Sequence, residues 1–218
     1  MIGGASPATV EWTIMGSDHA LLYVAEFQHR INNEYAKAIS FVSRLLMLSS
    51  APEAKTALLE VIDHLHASAK IHHTLRPPLP GELVDFTAHM GELCEAFAST
   101  GLKQQGINLY VTISGSAVID AARSWRASLI IEELMTNSVR HACSAGGGHI
   151  RVAIGTDGGN VACEISDDGM ASAAIVRPGV GTHLVDALTD ELQGHISRSY
   201  TKSGAVVRLC FPIKPEQH

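Results

Sequence analysis

The chain has 218 residues, of which 46% are apolar and 17% charged, and its net charge is −6. That length holds one large domain or two modest ones with a real core, and the acidic balance argues against nucleic acid as the main partner, because phosphate backbones select basic surfaces. No apolar run approaches the roughly 18 residues of a membrane-spanning helix, the first twenty residues lack the basic start and apolar stretch of a signal peptide, and Cys94, Cys143, Cys163 and Cys210 form no CxxC pair, so a cytoplasmic protein with reduced thiols and no membrane insertion is expected.

Residues 1–18 read as a disordered N-terminus. From His19 to Ser50, Val24, Ile31, Ala38 and Leu45 recur every seven residues, with Gln28, Tyr35 and Val42 in the seam between them. This is the stripe of a long bundle helix. Pro52 suits the first turn of a second helix, with Ser49 or Ser50 as its cap. Leu58, Val61, Ile62, Leu65, Ala69 and Ile71 carry that helix to about Leu75. Two long helices with a short connection make an antiparallel hairpin, here spanning residues 19–76. A lone hairpin leaves part of such a stripe in water, so a two-fold dimer forming a four-helix bundle is expected.

The segment "RPPLPGE" (76–82) ends the hairpin and stiffens the link. Beyond it, residues 82–218 mix helices near 85–100, 124–142 and 181–193 with strands at "INLYVTISG", "HIRVAIGT", "NVACEIS", "HISRSY" and "AVVRLCFP". Helices on one side of a mixed, mostly antiparallel sheet give an α/β sandwich, so the fold class of the whole chain is α+β.

Four stretches carry chemistry. In "IEELMTNSVRHA" (131–142), Glu133, Asn137 and His141 are spaced by four and line one helix face. Asparagine is a poor helix-interior residue, and its amide oxygen suits Mg²⁺. "EISDDGMA" (164–171) ends a strand in two acids and a glycine, so that Asp167 can accept a hydrogen bond from an exocyclic amine and Gly169 lets the backbone turn close by. Asp-Gly is also a common turn pair, and alone it says little. In "RPGVGTHLVDAL" (177–188), Gly179 and Gly181 stand just ahead of a helix whose backbone N–H groups suit phosphates. Finally, "EFQHRINN" (26–33) puts His29, Arg30 and Asn33 on the flank of the first helix.

In this order the stretches resemble sensor histidine kinases, whose ATP-binding domain shares a superfamily with gyrase and the heat-shock-90 chaperones. "ELMTNSVRHA" resembles the N box, "DDG" the G1 box and "GVGTHLV" the G2 box. "EFQHRINN" is similar to the phosphoacceptor box of the HWE-type kinases and their relatives, where arginine follows the phosphorylated histidine. The likeness runs from residue 20 to about 213. It implies that His29 is phosphorylated and that Asn137 chelates Mg²⁺. It further implies that Asp167 reads adenine, that Gly169, Gly179 and Gly181 belong to the nucleotide loops, and that Glu133 and His141 are the N-box carboxylate and histidine. Glu133 would polarise the nucleophile or hold a metal-bound water. Asn33 and Arg30 are candidates for orienting or phosphatase roles.

The implied activity is a homodimeric two-component kinase that autophosphorylates His29 from Mg-ATP and passes the phosphoryl group to an aspartate of a response regulator. About 20 residues precede the hairpin, too few for a sensor domain, so the signal is expected from a separate sensor protein unless the chain is a fragment. The family pattern is broken in two places. Ala171 stands where many relatives have a second G1 glycine, and the lid, residues 170–178, is short. These departures motivate an alternative, a histidine phosphotransfer or phosphatase protein with weak or no ATP use. A non-catalytic module that sequesters a regulator is a further alternative, against which the phosphoacceptor-like box around His29 speaks.

Overall fold

The structure is a computed structural model, which describes residues 17–78, 81–144, 146–169 and 179–214. The expected disordered N-terminus falls mostly, and the lid with Ala171 entirely, outside these residues.

Helices α1 (Ser17–Leu48) and α2 (Pro52–Thr74) form the hairpin. Along α1, Gln28, Ile31, Tyr35, Ala38 and Val42 are half-buried, whereas Val24 and Leu45, the outer members of the seven-residue stripe, are 36% and 39% exposed. The expected serine cap on α2 is absent. Its N-cap is Ala51, whose side chain makes no capping bond, and the helix starts on Pro52. Proline there needs no N–H partner and has φ already set for helix. Tyr23 (66% exposed), Phe27 (65%), Phe41 (55%) and Met47 (85%) leave a broad apolar surface on the hairpin.

Strand β1 (Leu83–Asp85) pairs antiparallel with β3 (Val118–Asp120) in a two-stranded ladder that starts two helices. Asp85 caps α3 (Phe86–Ala98), accepting from Ala88 N at 3.1 Å and from the Thr87 hydroxyl at 2.6 Å. The Thr87 bond first, then the Ala88 N–H, holds the Asp85 carboxyl below its ordinary value. Asp120 stands at the start of α4 (Ala121–Ser144), its carboxylate accepting from Ala122 N at 2.9 Å and Arg123 N at 3.3 Å. An aspartate at a helix start satisfies otherwise orphaned N–H groups and complements the helix dipole.

The main sheet runs β2 (Ile107–Ile113), β4 (Gly148–Asp157), β5 (Asn160–Asp167), β7 (Gly204–Pro212) and β6 (His195–Thr201). The β2–β4 pair is parallel and the others are antiparallel. Alternation buries Ile150, Val152, Val161, Cys163, Ile165, Leu209 and Phe211 against Met90, Leu93, Ile130, Ile131 and Met135 of α3 and α4, and against Val185 and Leu188 of α5 (Val180–Glu191). Fully burying one such side chain contributes about 1.5–3 kcal/mol. The helices thus cover one face of the sheet, leaving Arg151, Ala153, Arg208 and Cys210 on the exposed face.

The hairpin docks on this layer through the end of α2. The carbonyl of Leu75 accepts from Gln28 Nε2 at 3.1 Å and from Trp125 Nε1 at 2.9 Å, joining α1 and α4. His64 Nδ1 also bonds the Thr100 carbonyl at 2.8 Å, and Lys70 pairs with Glu95 at 3.1 Å. That exposed ion pair adds little energy, so the two shared-carbonyl bonds and apolar burial hold the seam. No helix among the described residues is long and apolar enough to cross a membrane.

Candidate functional site

Helix α4 packs Ile130, Ile131, Leu134 and Met135 into the core, which turns the Glu133, Asn137 and His141 face sideways, half-buried. Asn137 Nδ2 donates to Glu133 Oε1 at 2.9 Å, and Arg140 Nη1 donates to Asn137 Oδ1 at 3.1 Å. The amide is therefore held at both ends. Arg140 was not singled out from the sequence, although its position three residues after Asn137 put it on the same face.

Strand β5 delivers two adjacent aspartates to different places. Asp167 points inward, its side chain 1% exposed. Its Oδ1 accepts from Gly169 N at 3.1 Å, and its Oδ2 stands 3.7 Å from His141 Nδ1, beyond hydrogen-bonding length. That buried imidazole nitrogen has no partner among the described residues. His141 Nδ1 is thus a buried nitrogen with unused hydrogen-bonding capacity beside the Asp167 carboxylate. Asp168 turns outward and accepts from His149 N at 2.6 Å and His149 Nδ1 at 2.7 Å, bonds that hold its carboxyl below its ordinary value.

The glycines act by close approach. A Cβ on Gly169 would stand 2.9 Å from the carbonyl carbon of His141 and 3.0 Å from its oxygen, so the strand end packs directly on the α4 backbone. The chain bends here, and because Gly169 is not among the residues with positive φ it is this close approach that calls for glycine. A Cβ on Gly181 would overlap the Glu133 carboxylate. Helix α5 starts at Val180, with Gly179 as its extended N-cap, so Gly181 lies within the first turn and not ahead of it. At Gly179 nothing lies within 4 Å of a Cβ.

Gly181, Glu133, Asn137, His141, Asp167 and Gly169 thus form one continuous cluster where α4, the end of β5 and the start of α5 meet. His29 is elsewhere. It is exposed on α1 with Asn33 Nδ2 3.3 Å from its Nδ1, and Arg30 pairs with Glu26 at 2.8 Å. The described contacts of His29 and Arg30 stay on α1.

Residues 109–211, from within β2 to within β7, match the family of histidine kinase-like ATPase domains. No curated protein matches the chain. Among solved structures, the histidine kinase domain of the Erythrobacter litoralis EL346 blue-light activated histidine kinase is similar over 82% of this chain and 96% of its own, with a TM-score of 0.59 at 15% identity. The Acinetobacter baumannii histidine kinase AdeS is similar over 86% and 98%, with a TM-score of 0.52 at 18% identity. A bacterial phosphotransferase is similar over 90% and 98%, with a TM-score of 0.56 at 14% identity. The fold, hairpin included, resembles that of these histidine kinase structures, and the sheet domain resembles histidine kinase-like ATPase domains.

Proposed function

We propose that the chain is a protein-histidine kinase of the HWE-type class, a homodimeric, cytoplasmic component of a two-component phosphorelay. Residues 19–76 are its dimerisation and phosphotransfer unit and residues 82–218 its ATP-binding unit. The reading rests most heavily on two contacts to one face of α4, Gly181 with Glu133 and Asn137 at one end and Asp167 and Gly169 with His141 a turn further on. Three sequence motifs, with Glu133 and Gly181 48 residues apart, meet along that face.

In this reading Asp167 accepts the exocyclic amine of adenine, and the start of α5, with Gly179 and Gly181, faces the phosphates. Asn137 is the ligand for Mg²⁺, with Glu133 holding its amide in place and able to polarise the nucleophile. ATP supplies the γ-phosphoryl group. His29 receives it, Asn33 orients the imidazole or a water, Arg30 stands beside it, and an aspartate of a response regulator is the final acceptor. Catalysis is largely positioning and charge neutralisation. Because His29 does not touch the cluster, transfer requires the ATP-binding unit to move or the partner protomer's cluster to serve it. The exposed apolar surface at Tyr23, Phe27, Phe41 and Met47 supports the dimer.

A second reading, a phosphotransfer or phosphatase protein with weak ATP use, is favoured by one observation: Arg140 donates to Asn137 Oδ1, so a guanidinium charge stands beside the oxygen assigned to Mg²⁺ and repels a second cation there. Incubation with γ-labelled ATP separates the two. Acid-labile label on the protein supports the kinase, and ATP binding without label on it favours the second reading.

A further inference from the structure

We propose that the seam between hairpin and sheet domain holds a separate small-molecule site, for an amine or amidine on a compact apolar body, anchored by Glu132. A cavity of about 300 Å³ opens there, walled by Tyr35, Ser68 and His72 on the hairpin side and by Phe97, Glu132 and Val139 on the other. That is the lower end of the size range of small-molecule pockets. Its apolar lining suits a ring, and one carboxylate gives it direction.

Glu132 precedes Glu133 by one residue, about 100° round the helix, so it faces the seam and not the Asn137 cluster. Its carboxylate accepts from the Thr136 hydroxyl at 3.0 Å. Among the described residues, the ion pairs do not include it. A carboxylate in such a place ordinarily has a cation, and burial, with Glu133 adding repulsion, pushes its pKa up. Among the described residues neither imidazole in the wall forms an ion pair with Glu132. His64 Nδ1 donates instead to the Thr100 carbonyl, and burial pushes the His72 pKa down. The wall contains no lysine or arginine, which is complementary to a cationic donor. Because such a ligand touches both units, its binding favours the docked arrangement over a separated one.

Benzamidine is a suitable probe and benzamide its neutral isostere, titrated into the isotope-labelled full chain and followed by NMR. Benzamidine is expected to shift the amides of Ser68, His72 and Val139. Benzamide, and benzamidine with a Glu132→Gln chain, are each expected to bind at least about tenfold more weakly. Ser68→Leu, which fills the cavity from the hairpin side, should abolish the shifts. Equal binding of benzamide, unchanged binding by Glu132→Gln, shifts centred on Asp167 and Gly169, or no shifts at millimolar benzamidine would each overturn the proposal. None of these readouts requires the chain to phosphorylate itself, so a failed kinase reading leaves this test intact.

Discussion

Gly181 in the first turn of α5 lies directly against the carboxylate of Glu133 on α4, with no room for a Cβ between them. Two segments about 50 residues apart in sequence are thereby fixed in contact at the candidate phosphate end of the site. Gly181→Ala must push Glu133 aside, and with it the Glu133–Asn137 bond. A cost of about 1–3 kcal/mol in unfolding free energy is expected, together with a drop in autophosphorylation. Denaturant titration and initial labelling rates measure the two effects.

His29→Gln should abolish labelling from γ-labelled ATP while leaving stability within about 0.5 kcal/mol of the parent. The side chain is exposed, and its described hydrogen bond is to Asn33 on the same helix. Label that persists in this variant removes His29 as the acceptor.

Asn137→Ala deletes the bridge between Glu133 and Arg140 and the oxygen assigned to Mg²⁺. Autophosphorylation should fall on the order of 100-fold, the scale of a single positioned electrostatic group. Transfer back from a phosphorylated regulator to His29 should survive. Undiminished autophosphorylation would take Asn137 out of the site.

Asp167→Asn keeps the acceptor for Gly169 N but alters the buried oxygen facing His141. ATP binding should weaken by at least about tenfold, from a parent Kd expected to be weaker than roughly 10 μM. Calorimetry gives both constants, and a nanomolar parent would contradict the second.

Glu132 makes a pH prediction. Burial raises its folded-state pKa above the unfolded value, so the folded chain binds the proton more tightly. Stability from this group is present below the unfolded pKa, about 4.5, and is lost as pH rises toward the folded pKa. Glu132→Gln should remove that decline and leave the chain more stable than the parent at pH 7. Melting temperatures across pH 4–7 test the sign.

Much of this was legible in the chain itself, and the reasons differ by element. The middle of the seven-residue stripe, Ile31 and Ala38, marked the inward side of α1, because only one side of a helix can meet α2, while its ends Val24 and Leu45 stay exposed. The four-residue spacing of Glu133, Asn137 and His141 placed them on one face for the same reason. β1 and β3 were not legible, since three residues each are too few for an alternation to register. The bend at Gly169 was legible, but its close packing on the α4 backbone was not, being a long-range fact with no local signature. Arg123 is buried, bonding the Leu192 carbonyl at 2.9 Å and the Pro212 carbonyl at 2.7 Å. In the sequence it is one cation among many.

The order of the strands in the sheet has a consequence for assembly. From β4 to β7 the sheet grows through antiparallel contacts, but β2 joins only after the chain has run out through β3 and α4 and returned. That crossover and the β5–β7 connection are the two long loops of the sheet, and each loses its entropy before its ladder forms. Because β7 is the last strand made, its seam with β5 is the last to knit during synthesis. Until it does, the nascent β5 edge remains open to any other chain that offers a strand.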